Sequence, residues 1–412
     1  MARLIFTGLS PNAERDDLSL AASLLLSPWK WIHGEGAERL ERMISTRLNR
    51  AEAIAFTSGR GALASILEAL HLPPGSGILL QAYSCVVDPN AIHWAGYVPV
   101  FVDIEEDSLN MDPDDLERKW NPTCRAVIIQ HTMGRPANMD RLMEIAQRRH
   151  LVVIEDCAHA LGATYHRKEV GSFGDAAFFS FGRDKIISSV FGGCAVTRDI
   201  ELAKRIRAIR TREGAPRRAW TLQQLFHPLF LLAVKATYRI GLGPILFVLG
   251  KKTRLISYSV HPAERTGQRP RAMSRILPNA LALLAIHQLE KLDHLNAHRR
   301  SIAAHYANAL EGVTGVALPA QEPDTLPVFL RYTLRTEHAV EMMHCARKAN
   351  VRLGDWYRTV IAPVGTERIA TYERGSCPTA ERVALQTVNL PTEINVAPAD
   401  VTRIARIITQ CV

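Results

Sequence analysis

Between about residue 50 and residue 200 the chain alternates short apolar runs with helical stretches, and that alternation leaves few folds open. Runs at 53–56, 77–80, 97–102, 125–130 and 151–154 are apolar at nearly every position. A strand needs that pattern when both of its faces are covered, as in a parallel sheet packed between helices. Helical patterns at 61–70 and 139–148 lie between the runs. Right-handed crossovers then give an α/β fold, a three-layer sandwich around a mostly parallel sheet. Further on, 278–310 reads as one or two helices. A strand at 328–334 and helices near 337–350, 379–387 and 399–408 read as a smaller C-terminal α/β domain. The expected division is 1–213 with 263–310 as the large domain, 214–262 as an insertion and 311–412 as the small domain.

Open parallel sheets bind ligands beyond the carboxyl ends of their strands. Asp156 lies there, closing Leu151-Val152-Val153-Ile154-Glu155-Asp156. Downstream, Ser180-Phe181-Gly182-Arg183-Asp184-Lys185 leaves a β-like run and leads toward Phe191-Gly192-Gly193. A carboxylate and an amine in this order have the layout of a pyridoxal phosphate (PLP) site. The amine bonds the cofactor aldehyde, and the carboxylate keeps the pyridine nitrogen protonated. Each residue alone has a plainer reading: lysines are mostly solvated, and acids at strand ends mostly cap the next segment. Thr57-Ser58-Gly59-Arg60-Gly61 adds a third piece, a glycine-containing turn opening a helix whose free N–H groups suit a phosphate. By itself that turn is commonly just a helix cap.

Taken together, Thr57-Ser58-Gly59, Glu155-Asp156-Cys157-Ala158-His159-Ala160-Leu161-Gly162-Ala163, Val170-Gly171-Ser172-Phe173-Gly174-Asp175 and Ser180-Phe181 up to Lys185 resemble the DegT/StrS-type sugar aminotransferases of PLP fold type I, an aspartate-aminotransferase-like fold. The resemblance runs from about Gly34 to the C-terminus, the insertion excepted. It also takes in Cys377-Pro378-Thr379-Ala380-Glu381-Arg382 and Asn389-Leu390-Pro391. It implies that Lys185 bonds the cofactor, Asp156 pairs with the ring nitrogen and His159 meets the phenolic oxygen. Ser58, Gly59, Arg60 and Ser180 would meet the phosphate. The position that usually stacks an aromatic ring on the cofactor is Cys85, with Tyr83 beside it. The family's acidic position after the lysine falls in Val190-Phe191-Gly192-Gly193, and Arg269-Pro270-Arg271-Ala272-Met273-Ser274 carries no Asn for a neighbouring subunit's phosphate, leaving Arg271 as its replacement. The implied reaction takes an amino group from an amino-acid donor, glutamate, to a keto-sugar acceptor on a nucleotide or lipid carrier, in a homodimer. The alternatives are a sugar dehydratase on the same scaffold and a PLP-binding membrane-associated regulator or scaffold without turnover.

Composition narrows the setting. A net charge of +9 favours an anionic partner, and the absence of a finger, RNA-binding signature or basic recognition helix argues against nucleic acid. Seven scattered cysteines without a Cys-x-x-Cys pair suit free thiols in a reducing compartment, and no metal-ligand spacing stands out. The first apolar run follows acidic Asp16 and Asp17 rather than a basic region, so the expectation is a cytoplasmic protein. Residues 220–250 are rich in apolar side chains between basic flanks, interrupted by His227, Lys235 and Arg239. A spanning helix needs about 20 apolar residues, so this segment reads as a re-entrant or surface-lying helical pair on the inner face of a membrane. The equal alternative is an excursion packed on the protein's own core or on a dimer partner.

Overall fold

The computed structural model describes residues 4–6, 12–49 and 52–411. Seven strands form the central sheet: β1 (Glu52–Phe56), β2 (Gly77–Gln81), β3 (Val98–Val102), β4 (Cys124–Gln130), β5 (Val152–Asp156), β6 (Ala176–Ser180) and β7 (Gly193–Thr197). Their spatial order is β1-β7-β6-β5-β4-β2-β3. All neighbouring pairs are parallel except the two that β7 makes with β1 and β6. The apolar runs became strands because successive side chains enter opposite layers. In β1, Ile54 and Phe56 join one buried cluster while Ala53 and Ala55 join the other. Strand β7 went unread: Gly193-Cys194-Ala195-Val196-Thr197 is largely small residues, with little intrinsic strand signal.

Helix α1 (Gly59–Ala69) follows β1 and helix α2 (Val87–Trp94) follows β2, so both begin at the carboxyl edge of the sheet. The ends of β5 and β6 lie on the same edge. A separate cluster forms around β8 (Tyr332–Arg335) and β9 (Thr387–Leu390), which pair antiparallel. That core crosses the expected boundary at 310. Ile302, Tyr306 and Leu310 of the helix Leu292–Leu310 belong to it, as does Ile5, whose strand pairs with Val351 and Arg352. The strand expected at 328–334 starts later, at Tyr332, while Val328 and Leu330 pack under the main sheet.

The insertion is a pair of helices, α3 (Arg218–Thr237) and α4 (Leu242–Lys252). One face of α3 is buried: Leu225 joins the main core, and Phe230, Leu231 and Val234 form a small cluster with Ile256 and Phe6. Within α4 only Gly243 and Gly250 are buried. The packed-excursion reading therefore describes the inner face of α3, while the outer face of the pair lies open.

Candidate active site

At the end of β5 the pleat sends Glu155 and Asp156 to opposite sides. Glu155 goes into a loop and accepts N–H bonds from Phe173 at 2.7 Å, Gly174 at 2.8 Å and Gly171 at 2.7 Å. Burial opposes its charge, but His131 at 3.2 Å and these N–H groups outweigh it and hold its pKa below the usual value. Glu155 is the structural acid of the pair. Asp156, 5% exposed, accepts the Ala158 N–H at 2.8 Å and faces Lys185. Burial, and then the nearby charge of Asp88, push Asp156 up to about 8.

Lys185 sits in the turn after β6, where its N–H bonds the Gly182 carbonyl at 3.1 Å. Asn12 pins that turn by donating to the carbonyls of Lys185 at 2.6 Å and Ile186 at 2.9 Å. The buried Arg299 in turn holds the Asn12 side-chain oxygen at 2.6 Å. The Lys185 ammonium lies 5.2 Å from the centre of the Trp356 ring. Burial lowers its pKa against the pull of Asp156, Cys85 and two further acids, which favours an uncharged amine.

Asp88, in the first turn of α2, is a second buried carboxylate that sequence reasoning missed. The Ser84 hydroxyl lies 2.6 Å from Asp88 and 2.8 Å from the Gln130 carbonyl oxygen. Gln130 donates its amide to Thr132, which fixes that oxygen as an acceptor. The hydroxyl donates to the Asp88 carboxylate, which favours its charge, but burial outweighs that bond and raises Asp88 to about 6. No motif marks Asp88; only the link from β2 into α2 carries it to the site.

His159 is buried, and burial together with the charges of Lys185 and Arg331 holds it well below its ordinary pKa, as a neutral imidazole. Its Nδ1 accepts the Met133 N–H at 3.4 Å, so the proton sits on Nε2, 3.5 Å from the Tyr357 hydroxyl. The ring stacks on Trp356 with centroids 5.7 Å apart and planes 22° apart. Trp356 and Tyr357 were also missed. An aromatic pair in a loop with no periodic pattern was the available signal. Cys85 packs beside the site in a short ladder with Ala362, and burial pushes its thiol up to about 11, so it stays neutral. Tyr83 is fully enclosed, with its hydroxyl donating to Thr387 at 3.0 Å, and burial pushes it up to about 12.

Ser58, Gly59 and Ser180 meet where α1 begins. Ser58 caps the helix by accepting the Gly61 N–H at 3.1 Å, and it donates to the Met273 carbonyl at 2.8 Å. A Cβ on Gly59 would come 2.7 Å from the Ser180 Cβ, so only glycine lets the helix start this close to β6. Arg60 points toward the end of the insertion, held by Glu264 and by the Ser259 carbonyl at 2.6 Å. That pair already balances its charge.

These residues fit a pyridoxal phosphate. A buried carboxylate whose proton affinity is raised is relieved by a cationic ring nitrogen beside it. A helix start bordered by hydroxyls suits a phosphate. A desolvated amine within electrostatic reach of the carboxylate suits the aldehyde.

The family model of the DegT/DnrJ/EryC1/StrS aminotransferases matches residues 12–240 and 248–409. The dTDP-3-amino-3,4,6-trideoxy-alpha-D-glucose transaminase of Streptomyces venezuelae is 28% identical over 383 residues, 92% of this chain and 87% of the relative. Among solved structures, S. venezuelae DesV superposes with a TM-score of 0.76 at 26% identity, covering 96% of this chain and 94% of that one. The sugar aminotransferase CalS13 of Micromonospora echinospora gives 0.76 at 25% identity, covering 98% and 100%.

Proposed function

Since the chain belongs to the DegT/DnrJ/EryC1/StrS aminotransferase family and is a PLP-dependent sugar aminotransferase, we propose that it moves an amino group from glutamate to a keto-sugar on a phosphate-bearing carrier. The observation that carries the site assignment is the buried Asp156–Lys185 pair beside the start of α1. Bound there, the cofactor supplies an aldehyde that bonds amines and a protonated ring that accepts electron density from the carbon losing its proton. Asp156 keeps that ring nitrogen protonated. Lys185 would hold the cofactor through its uncharged amine and, when free, would serve as the base that moves a proton from the donor's α-carbon. His159 would meet the cofactor's phenolic oxygen. Ser58, Gly59 and Ser180 hold the phosphate. Trp356 covers the face that Cys85 is too small to stack.

The assembly we propose is a homodimer in which the exposed Arg271 reaches the neighbouring subunit's phosphate. We further propose that α3–α4 rests on an anionic membrane surface. Among the described residues no helix is long and apolar enough to cross a membrane. Yet Ile240, Leu242, Ile245, Val248 and Leu249 are exposed beside Lys251, Lys252 and Arg254. Absorbance spectroscopy tests the chemistry: the purified holoprotein shows a visible band that glutamate discharges and a keto acid restores. A Lys185→Ala protein that keeps both band and turnover refutes the assignment. Vesicle flotation tests the membrane contact, and equal recovery in the soluble fraction with and without 220–250 refutes it.

A further inference from the structure

Asp88 is a buried acid that the proposed reaction leaves without a task. An acid in the first turn of a helix ordinarily takes N–H groups of that helix. Val86 holds the N-cap position of α2, and no side-chain cap bond is made there. The Asp88 carboxylate instead accepts the Ser84 hydroxyl at 2.6 Å. Glu155, with three N–H groups on its oxygens, shows what an acid held for structure looks like in this chain.

The sheet places Asp88 with Asp156. Ser84 also lies 2.8 Å from the Gln130 side-chain oxygen, and Gln130, closing β4, is the register partner of Asp156 at the end of β5. Register partners on neighbouring strands point to the same face of a sheet. Two positions earlier on the same strands, Ile128 and Ile154 lie in the core shared with α1 and α2. Asp88 therefore enters from α2 on the face that carries Asp156. Tyr357 feels both: burial raises its hydroxyl first, then Cys85, Asp88 and Asp156 add to the shift.

The other charged or titratable groups facing Asp88 are Lys185, Arg60, Cys85 and Tyr357. Glu264 balances Arg60, and burial keeps the Cys85 thiol and the Tyr357 hydroxyl neutral. Asp184, which also faces Lys185, has Arg183 and Arg331 beside it. Among the described residues this leaves two carboxylates, Asp88 and Asp156, against the single amine of Lys185. The site is short of one positive charge, and a protonated ring nitrogen supplies it.

We propose that Asp88 is a second carboxylate serving the cofactor's ring nitrogen, its charge adding to that of Asp156 to keep the nitrogen protonated into more alkaline solution. It acts through its field on a proton that Asp156 holds, so it is a positioning residue. This rests on the PLP reading of the same site. Asp88 is raised only to about 6, so it is charged throughout the alkaline range. A negative charge within reach favours the protonated ring, and its removal lets the ring give up its proton at lower pH.

Nitrogen NMR of the full-length holoprotein, loaded with cofactor isotope-labelled at the ring nitrogen, tests this between about pH 6 and pH 10. Asp88→Asn keeps the shape and can still accept from Ser84, and it should move the loss of the ring proton down by about one pH unit or more. Asp88→Ser, smaller and equally uncharged, should move it the same way, so the result does not hang on how an amide packs. Asp88→Glu keeps the charge and should stay close to the unaltered protein. Identical nitrogen shifts in the unaltered and Asp88→Asn proteins at every pH overturn the proposal, as does Asp88→Glu behaving like Asp88→Asn. If the unaltered protein takes up no labelled cofactor, the PLP reading itself fails. If it takes up cofactor whose titration ignores Asp88, only the role of Asp88 is wrong.

Discussion

At the carboxyl edge of the sheet Asp88, Asp156 and Lys185 are enclosed by apolar walls, whereas in the insertion Ile245, Val248 and Leu249 face outward with Lys251 and Lys252 beside them. Each arrangement runs against what solvation favours: buried charge costs free energy in the first, and exposed apolar surface costs it in the second. Neither contributes to the stability of the chain by itself. Such costs are retained where a ligand relieves them, and the two regions differ in which ligand that is. A cationic ring and an aldehyde relieve the first. An apolar phase relieves the second.

The contrast is sharpest where the buried groups are removed. Lys185→Ala should lower turnover by at least about 10⁴-fold, because the proposed site uses the amine in both cofactor bonding and proton transfer. Pre-steady-state absorbance with glutamate reads this, and near-normal discharge breaks the assignment. Asp156→Asn should cost roughly 10²–10³-fold in kcat with little change in unfolding midpoint, as expected for lost electrostatic stabilisation of the reacting state. A variant that instead lost stability and kept kcat would make Asp156 a structural acid like Glu155.

Within the insertion the comparison becomes one of stability. Leu225→Ala, at a fully buried position of α3, should destabilise by about 2–4 kcal/mol in urea unfolding. Val248→Ser, on the open face, should stay within about 0.5 kcal/mol while reducing vesicle binding. Equal costs at the two positions would mean that the outer face is covered in solution.

The smallest expected effect concerns His227, buried in α3 with neither ring nitrogen bonded and its pKa held well below 6.5, first by burial and then by Arg183. The native state refuses a proton that the unfolded chain accepts. The stability that follows is present above the unfolded pKa and is lost as pH falls through 6.5 toward the depressed folded value. His227→Leu should therefore flatten the decline in melting temperature between pH 7 and 5, by the equivalent of about 1 kcal/mol. An unchanged slope would mean that the ring is protonated or hydrated in the native state.

Much of this was legible in the chain because local pattern and local chemistry agreed. Runs apolar at every position become covered strands, and parallel strands deliver their ends to one edge, so Asp156 and the start of α1 share that edge. Asp88 was not legible: an acid in the first turn of a helix is ordinarily a favourable partner of the helix dipole. The pairing of Arg60 with Glu264, 204 residues away, gave no local sign at all. Trp356 and Tyr357 likewise come from beyond the insertion, and only folding places them over His159.

The sequence by itself determined the layered fold and the order of the motifs that carry Asp156 and Lys185, because hydrophobic period and motif order depend on near neighbours along the chain. Tertiary structure alone decided which acid of Glu155-Asp156 faces Lys185 and which aromatic stacks on His159. Those outcomes depend on which solvent each side chain finally loses. That is set by contacts between segments hundreds of residues apart, for which a one-dimensional pattern carries no period.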